Sequence, residues 1–164
     1  MFARHFIDSL DFARNGKELR GEIPVAEMPR LQDMLAAPEG QVRFVLRGLH
    51  DKDGHPVLEL ALDGSCQLRC QRCLQGMEYP LKMLVHLRLV TEEPTEAHLV
   101  EGEDEQIDSI LADSHLDVVA LIEEEILLGL PLAPKHEFGT CQAALESVSR
   151  EEQSPFAVLR GLKK

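Results

Sequence analysis

Apolar and polar residues alternate along three stretches of the chain. The period is two, as in a strand with one face on a core. From Gln41 to Leu49, residues Val42, Phe44 and Leu46 point one way, and Arg43, Val45 and Arg47 the other. Val57 to Cys66 repeats the pattern and runs on towards Cys70. In Leu81 to Val90, Leu81, Met83, Val85, Leu87 and Leu89 face inward, and Lys82, His86 and Arg88 outward. Asp51-Lys52-Asp53-Gly54 reads as the hairpin turn between the first two strands. The three strands predict an antiparallel meander whose second connection is Cys70-Gln71-Arg72-Cys73.

The flanks carry other periods. Leu10 and Phe12 alternate with charge, which predicts a short strand or extended arm. Glu18 to Ile23 predicts another strand. Pro24 to Ala37 has Val25, Met28, Leu31, Met34 and Leu35 at three- and four-residue steps, which predicts a helix with Pro29 in its first turn. Leu116 to Leu130 is the strongest helical pattern. Asp117 is its cap, and Val118, Val119, Ile122, Ile126 and Leu130 form a buried stripe that Leu121, Leu127 and Leu128 widen. Glu123, Glu124 and Glu125 are expected on the wet side, with Glu124 nearest the boundary. Gly129 and Pro131 stop this helix, and Pro134 favours an extended continuation. Gln106 to Ala112 predicts a short strand or turn. The expected fold is α+β: a twisted antiparallel sheet, closing towards a barrel, with one main C-terminal helix packed on it. Residues 1–164 are expected to form a single domain.

Composition narrows the function. An apolar share of 44% and a charged share of 28% are globular values. Aromatics are 4%, with no Trp, which disfavours a reader of single strands that stacks on bases. The net charge is −12, opposite to the usual footprint of a nucleic-acid binder. Ten of the 29 acids, however, lie between Thr91 and Asp117, where there is no Lys or Arg. This segment predicts an acidic mobile loop at about 92–105, suited to a basic partner or simply solvated. The remainder of the chain is nearly balanced and has room for a basic face. The start has charges where a signal peptide needs an apolar core. The longest apolar run is far short of the roughly 18–20 residues of a membrane span. The expected location is the cytoplasm, with reduced thiols.

Four cysteines in such a compartment read as metal ligands or inert core. Two cysteines two residues apart set both sulfurs on one ion, because the intervening pair makes a tight turn. Cys70 and Cys73 meet this condition. His136 and Cys141 supply two further donors, giving the three thiolates and one imidazole of tetrahedral zinc. Cys66, in a C-x3-C-x2-C arrangement, is an alternative fourth ligand beside Cys141. A thiol-redox role is less well supported, because a CxxC of that type opens a helix after a strand and this one joins two strands. No glycine-rich phosphate loop, nucleophile elbow or HExxH is present, so the chain is expected not to be an enzyme.

Cys70-Gln71-Arg72-Cys73, the block Ile122–Pro134, His136, Cys141, and Pro155–Leu162 with its basic end together resemble the bacterial YceD family. Its members are called large ribosomal RNA subunit accumulation proteins. The resemblance implies a cytosolic, non-catalytic factor in the synthesis, processing or stability of 23S rRNA, and favours His136 over Cys66 as the fourth ligand. The implied partner is large-subunit rRNA or a pre-ribosomal particle, met directly or through a ribosomal protein or assembly factor. No membrane and no small-molecule substrate are implied. Candidate contact residues are Arg69, Arg72, Lys82 and Arg88 around the CxxC. Phe156, Leu159, Arg160, Lys163 and Lys164 join them in a C-terminal docking motif at 154–164. Scattered bases on strand faces are ordinarily just solvated, so an adaptor that binds only protein, stabilised by zinc, stays open as the rival reading.

Overall fold

The structure, a computed structural model, describes residues 4–92, 107–137 and 140–141. The predicted meander is its centre. Strands β4 (Gln41–His50), β5 (Pro56–Arg69) and β6 (Gly76–Val90) pair antiparallel in sequence order. β2 (Glu18–Pro24) adds antiparallel to β4, and β3 (Leu35–Ala37) continues along β5 beyond the end of β4. β7 (Ile107–Leu111) lies parallel to the end of β6, so the sheet is not purely antiparallel. Six strands result, in the order β2-β4-β5-β6-β7 with β3 off that path. They do not close into a barrel, and that expectation is corrected.

The inner face follows the alternation. Val42, Phe44, Leu46, Leu58, Leu60, Leu62, Leu68, Leu81 and Leu87 are all buried. At roughly 1.5–3 kcal/mol for each fully buried side chain, this face holds most of the stability. On it lies α2 (Val118–Gly129), whose Asp117 cap accepts hydrogen bonds from the Val119 and Ala120 N–H at 3.0 and 3.3 Å. The predicted stripe of Val118, Val119, Ile122, Ile126 and Leu130 is buried. Leu128 is not part of it and is 73% exposed.

Three further expectations fail, each for a local reason. Leu10 and Phe12 belong to helix α1 (Ser9–Arg14), because Asp8 caps it by accepting from the Asp11 N–H at 2.9 Å. The helix sits so close to β4 that a Cβ on Gly48 would lie 2.3 Å from the Phe12 carbonyl oxygen. Pro24 to Ala37 is two 3-10 turns, Val25–Glu27 and Pro29–Met34, followed by β3. Pro29 has no N–H to continue a helix from the first turn. Val25, Met28 and Leu31 nevertheless reach the core, as their spacing requires. Glu123 and Glu125 are buried, at 4% and 6% exposure; of the three acids only Glu124 is exposed. Glu123 accepts the Arg30 backbone N–H at 2.5 Å, a donor that the first 3-10 residues leave free.

At the chain's start, β1 (Phe6–Ile7) pairs with β8 (Leu116–Asp117), and the Val118 N–H donates to the His5 carbonyl at 3.0 Å. This fixes the entry to α2, and with it the direction in which the chain leaves. Among the described residues, no helix is long and apolar enough to cross a membrane. The acidic stretch from residue 93 to 106 and the C-terminal motif lie outside the described residues.

Candidate metal centre

β5 and β6 are the longest strands and pair as far as Arg69 opposite Gly76. The six residues between them make a knuckle. The Cys70 N–H donates to the Gln75 carbonyl and the Leu74 N–H to the Cys70 carbonyl, both at 2.9 Å. Leu74 takes the left-handed conformation, with φ at 62°, to turn the chain after Cys73. The Arg72 N–H points at the Cys70 sulfur at 3.5 Å.

The second half arrives from α2. Beyond Leu130 the chain runs without regular structure through Pro131 and Pro134. It is stitched to the knuckle by the Gln71 N–H donating to the Pro134 carbonyl at 2.8 Å. Thr140 then turns back, its N–H and hydroxyl donating to the Glu137 carbonyl at 3.2 and 2.9 Å. Cys70, Cys73, His136 and Cys141 are thereby gathered with all four donor atoms within 4.8 Å of one another.

This geometry can be tested against a tetrahedral ion. Bond lengths of about 2.3 Å to sulfur and about 2.05 Å to nitrogen put two sulfurs about 3.8 Å apart, and a sulfur and a nitrogen about 3.6 Å apart. The Cys70 and Cys141 sulfurs are 4.0 Å apart, and the Cys73 sulfur is 3.4 Å from His136 Nδ1. Disulfide-bonded sulfurs would be near 2.05 Å; all four cysteines are free. The His136 Nε2 faces the Gly76 carbonyl at 3.3 Å. A carbonyl only accepts, so Nε2 carries the proton and Nδ1 turns its lone pair to the sulfurs. That is the outer hydrogen bond which metal-binding imidazoles use to fix their tautomer. The donor set fits a metal ion.

The sulfurs differ electrically. Burial raises the Cys70 thiol, but backbone N–H groups of Cys73, His136 and Arg72 outweigh it and pull the pKa down to about 5. Cys73 is raised: the Gln75 backbone N–H lowers it, but burial and the neighbouring Cys141 and Cys70 sulfurs prevail. Cys66 stands apart. It packs in the core, and burial pushes its thiol up to about 11. The alternative ligand set through Cys66 is therefore overturned: its side chain lies on the inner face, as strand parity from Leu62 and Leu68 demands.

A second group of metal-type donors, Asp51, Asp53 and His55, sits in the β4–β5 turn. The Asp51 carboxylate is already engaged by the Asp53 and His55 N–H groups at 3.0 and 2.8 Å, by His55 Nδ1 at 3.1 Å and by Arg88 at 3.0 Å. It clamps a turn.

The sequence-derived contact residues separate. Arg88 is committed to Asp51, and Lys82 stands opposite Asp63 in the β5–β6 register. Arg69 and Arg72 are both exposed at the knuckle, Arg69 donating one N–H to the Leu35 carbonyl at 3.1 Å. Phe156, Leu159, Arg160, Lys163 and Lys164 lie outside the described residues. Two residues escaped sequence reasoning. Lys135 is exposed beside Pro134, and its adjacency to His136 was the available signal. Leu74 is 67% exposed, and its signal was a bulky residue directly after a CxxC, where the turn favours glycine.

Residues 58–163 match the family described as large ribosomal RNA subunit accumulation protein YceD. The chain belongs to the YceD family. The match covers all four donors of the metal centre, together with β5 from Leu58 onward, β6, β7 and α2. The family's name implies a role in the accumulation of large-subunit ribosomal RNA. No solved structure matches the chain.

Proposed function

We propose that this chain is a non-catalytic factor for the synthesis, processing or stability of 23S rRNA. It acts in the cytoplasm on large-subunit rRNA or a pre-ribosomal particle, directly or through a ribosomal protein or assembly factor. Its family membership over residues 58–163 carries this reading. The Cys/His cluster within that span supports binding over catalysis, since its four donors suffice to fill a tetrahedral ion and leave no open position for a substrate. Three thiolates and an imidazole favour zinc among the common metals. When bound, zinc supplies a cross-link between the β5–β6 knuckle and the segment after α2. The protein's own residues prepare that link: Gly76 orients His136, Arg72 and Gln71 shape the knuckle, and Thr140 returns Cys141.

The test is the ratio of 23S to 16S rRNA in a strain lacking the gene, complemented by wild type or by Cys73→Ser. The reading expects a lowered ratio on deletion, restored by wild type and not by Cys73→Ser. An unchanged ratio on deletion would overturn it.

A further inference from the structure

Bases on the outer face of the sheet are largely neutralised. Arg47 lies between Glu18 and Glu59 at 2.7 and 3.2 Å, and Arg88 pairs with Asp51 at 3.0 Å. At the metal centre the pattern reverses. Among the described residues, no carboxylate is within ion-pair distance of Arg69, Arg72 or Lys135. They are brought together by the knuckle's own bonds: Arg72 follows Gln71, whose N–H holds the Pro134 carbonyl, and Lys135 follows Pro134. Glu137 is the acid nearest in the chain, two residues from Lys135, and its carboxylate forms no ion pair with these bases.

The same corner exposes two leucines. Leu132 is fully exposed in the segment that crosses the knuckle. Leu74 is 67% exposed and holds the left-handed conformation. That conformation is unfavourable for a residue with a Cβ and costs glycine nothing. Folding alone therefore prefers glycine at 74, and the leucine side chain is not used to pack the core. Strain kept at an exposed position points to a contact made outside the chain.

We propose that this corner docks on double-helical RNA. Arg69, Arg72 and Lys135 would meet phosphates, and Leu74 and Leu132 would rest on the sugar face of the wide, shallow minor groove. The cations select an anionic partner. A hairpin tip with exposed aliphatic side chains suits a groove read by shape. Among its described residues this corner has no aromatic side chain of the kind on which single strands stack. The proposal rests on the rRNA reading above and deepens it.

The experiment is binding of the full-length protein to an RNA hairpin, and to an unpaired strand of equal length, across a salt series. Wild type should prefer the hairpin, with affinity falling as salt rises at a slope of about −3 for three phosphates. Arg72→Glu with Lys135→Glu should lower the slope by about 2. Leu74→Gly should keep or raise the melting temperature yet weaken binding by about tenfold, the value of one buried leucine. Equal binding to both RNAs, or full affinity in Leu74→Gly, would overturn the docking mode. No RNA affinity at low salt, with capture of a ribosomal protein lost in Leu74→Gly, would also overturn it in favour of a protein partner. The two readings separate cleanly. Hairpin binding with an unchanged 23S to 16S ratio on deletion sinks the functional reading alone. A lowered ratio without hairpin binding sinks the docking alone.

Discussion

The sheet beneath α2 and the corner beyond it are held by different forces. Under α2, Ile122 and Ile126 are buried in one cluster with the leucines of the sheet's inner face. At the corner, two chain segments more than 60 residues apart in sequence are joined by four clustered donor atoms, the Gln71 N–H to the Pro134 carbonyl and the His136 ring to the Gly76 carbonyl. Apolar burial is spread over many residues, so the sheet loses stability in portions. A metal cross-link through the four donors would be concentrated, so the corner would be either joined or open.

The largest effect should therefore come from removing the metal, and it should be local. A chelator strong enough to strip zinc should abolish amide-exchange protection in residues 70–76 and 131–137 while β4 and β5 stay protected. Global unfolding on chelation would erase the distinction between the regions. Next comes the core. Ile122→Ala should cost about 2–5 kcal/mol in denaturant unfolding, as for a truncated core side chain, with metal content unchanged. A smaller effect belongs to the cap. Asp117→Ala should cost about 1 kcal/mol, again without touching the metal.

The smallest effect is electrostatic. Burial first, then the charges of Asp108 and Glu124, raise the Glu125 carboxyl above its ordinary value. A raised carboxyl holds its proton more tightly folded than unfolded. Stability then falls as pH climbs from the unfolded value to the folded one, and stays lowered above it. Glu125→Gln should raise the melting temperature slightly at neutral pH, and the gain should vanish in acid, where both states are protonated. A gain that persists in acid would mean that the charge is not the cause.

The sheet was legible because a two-residue period states directly which side chains face the core, and β4, β5 and β6 obey it. Cys70, Cys73 and Cys141 were legible from their chemistry and spacing, whereas His136 was preferred to Cys66 only through the family resemblance. The failures came where periodicity is a weak guide. Val25, Met28 and Leu31 are spaced for a helix, yet Pro29 divides the segment into tight turns that bury the same side chains. Glu123 and Glu125 look solvated because acids usually are, but α2 is flanked on both sides, by the Pro29–Met34 turn and by β7. Leu10 and Phe12 alternate over too few residues to outweigh the Asp8 cap. Leu74 was missed because its signal is indirect: the turn after a CxxC favours glycine, and a leucine there marks the left-handed position only by being out of place.

The most direct test of the corner is the metal content of full-length protein purified under reducing conditions, compared among wild type, Cys73→Ser and Cys66→Ser. The account predicts about one zinc per chain in wild type and in Cys66→Ser, and none in Cys73→Ser. A folded wild type without metal, or zinc lost from Cys66→Ser but kept in Cys73→Ser, would contradict it.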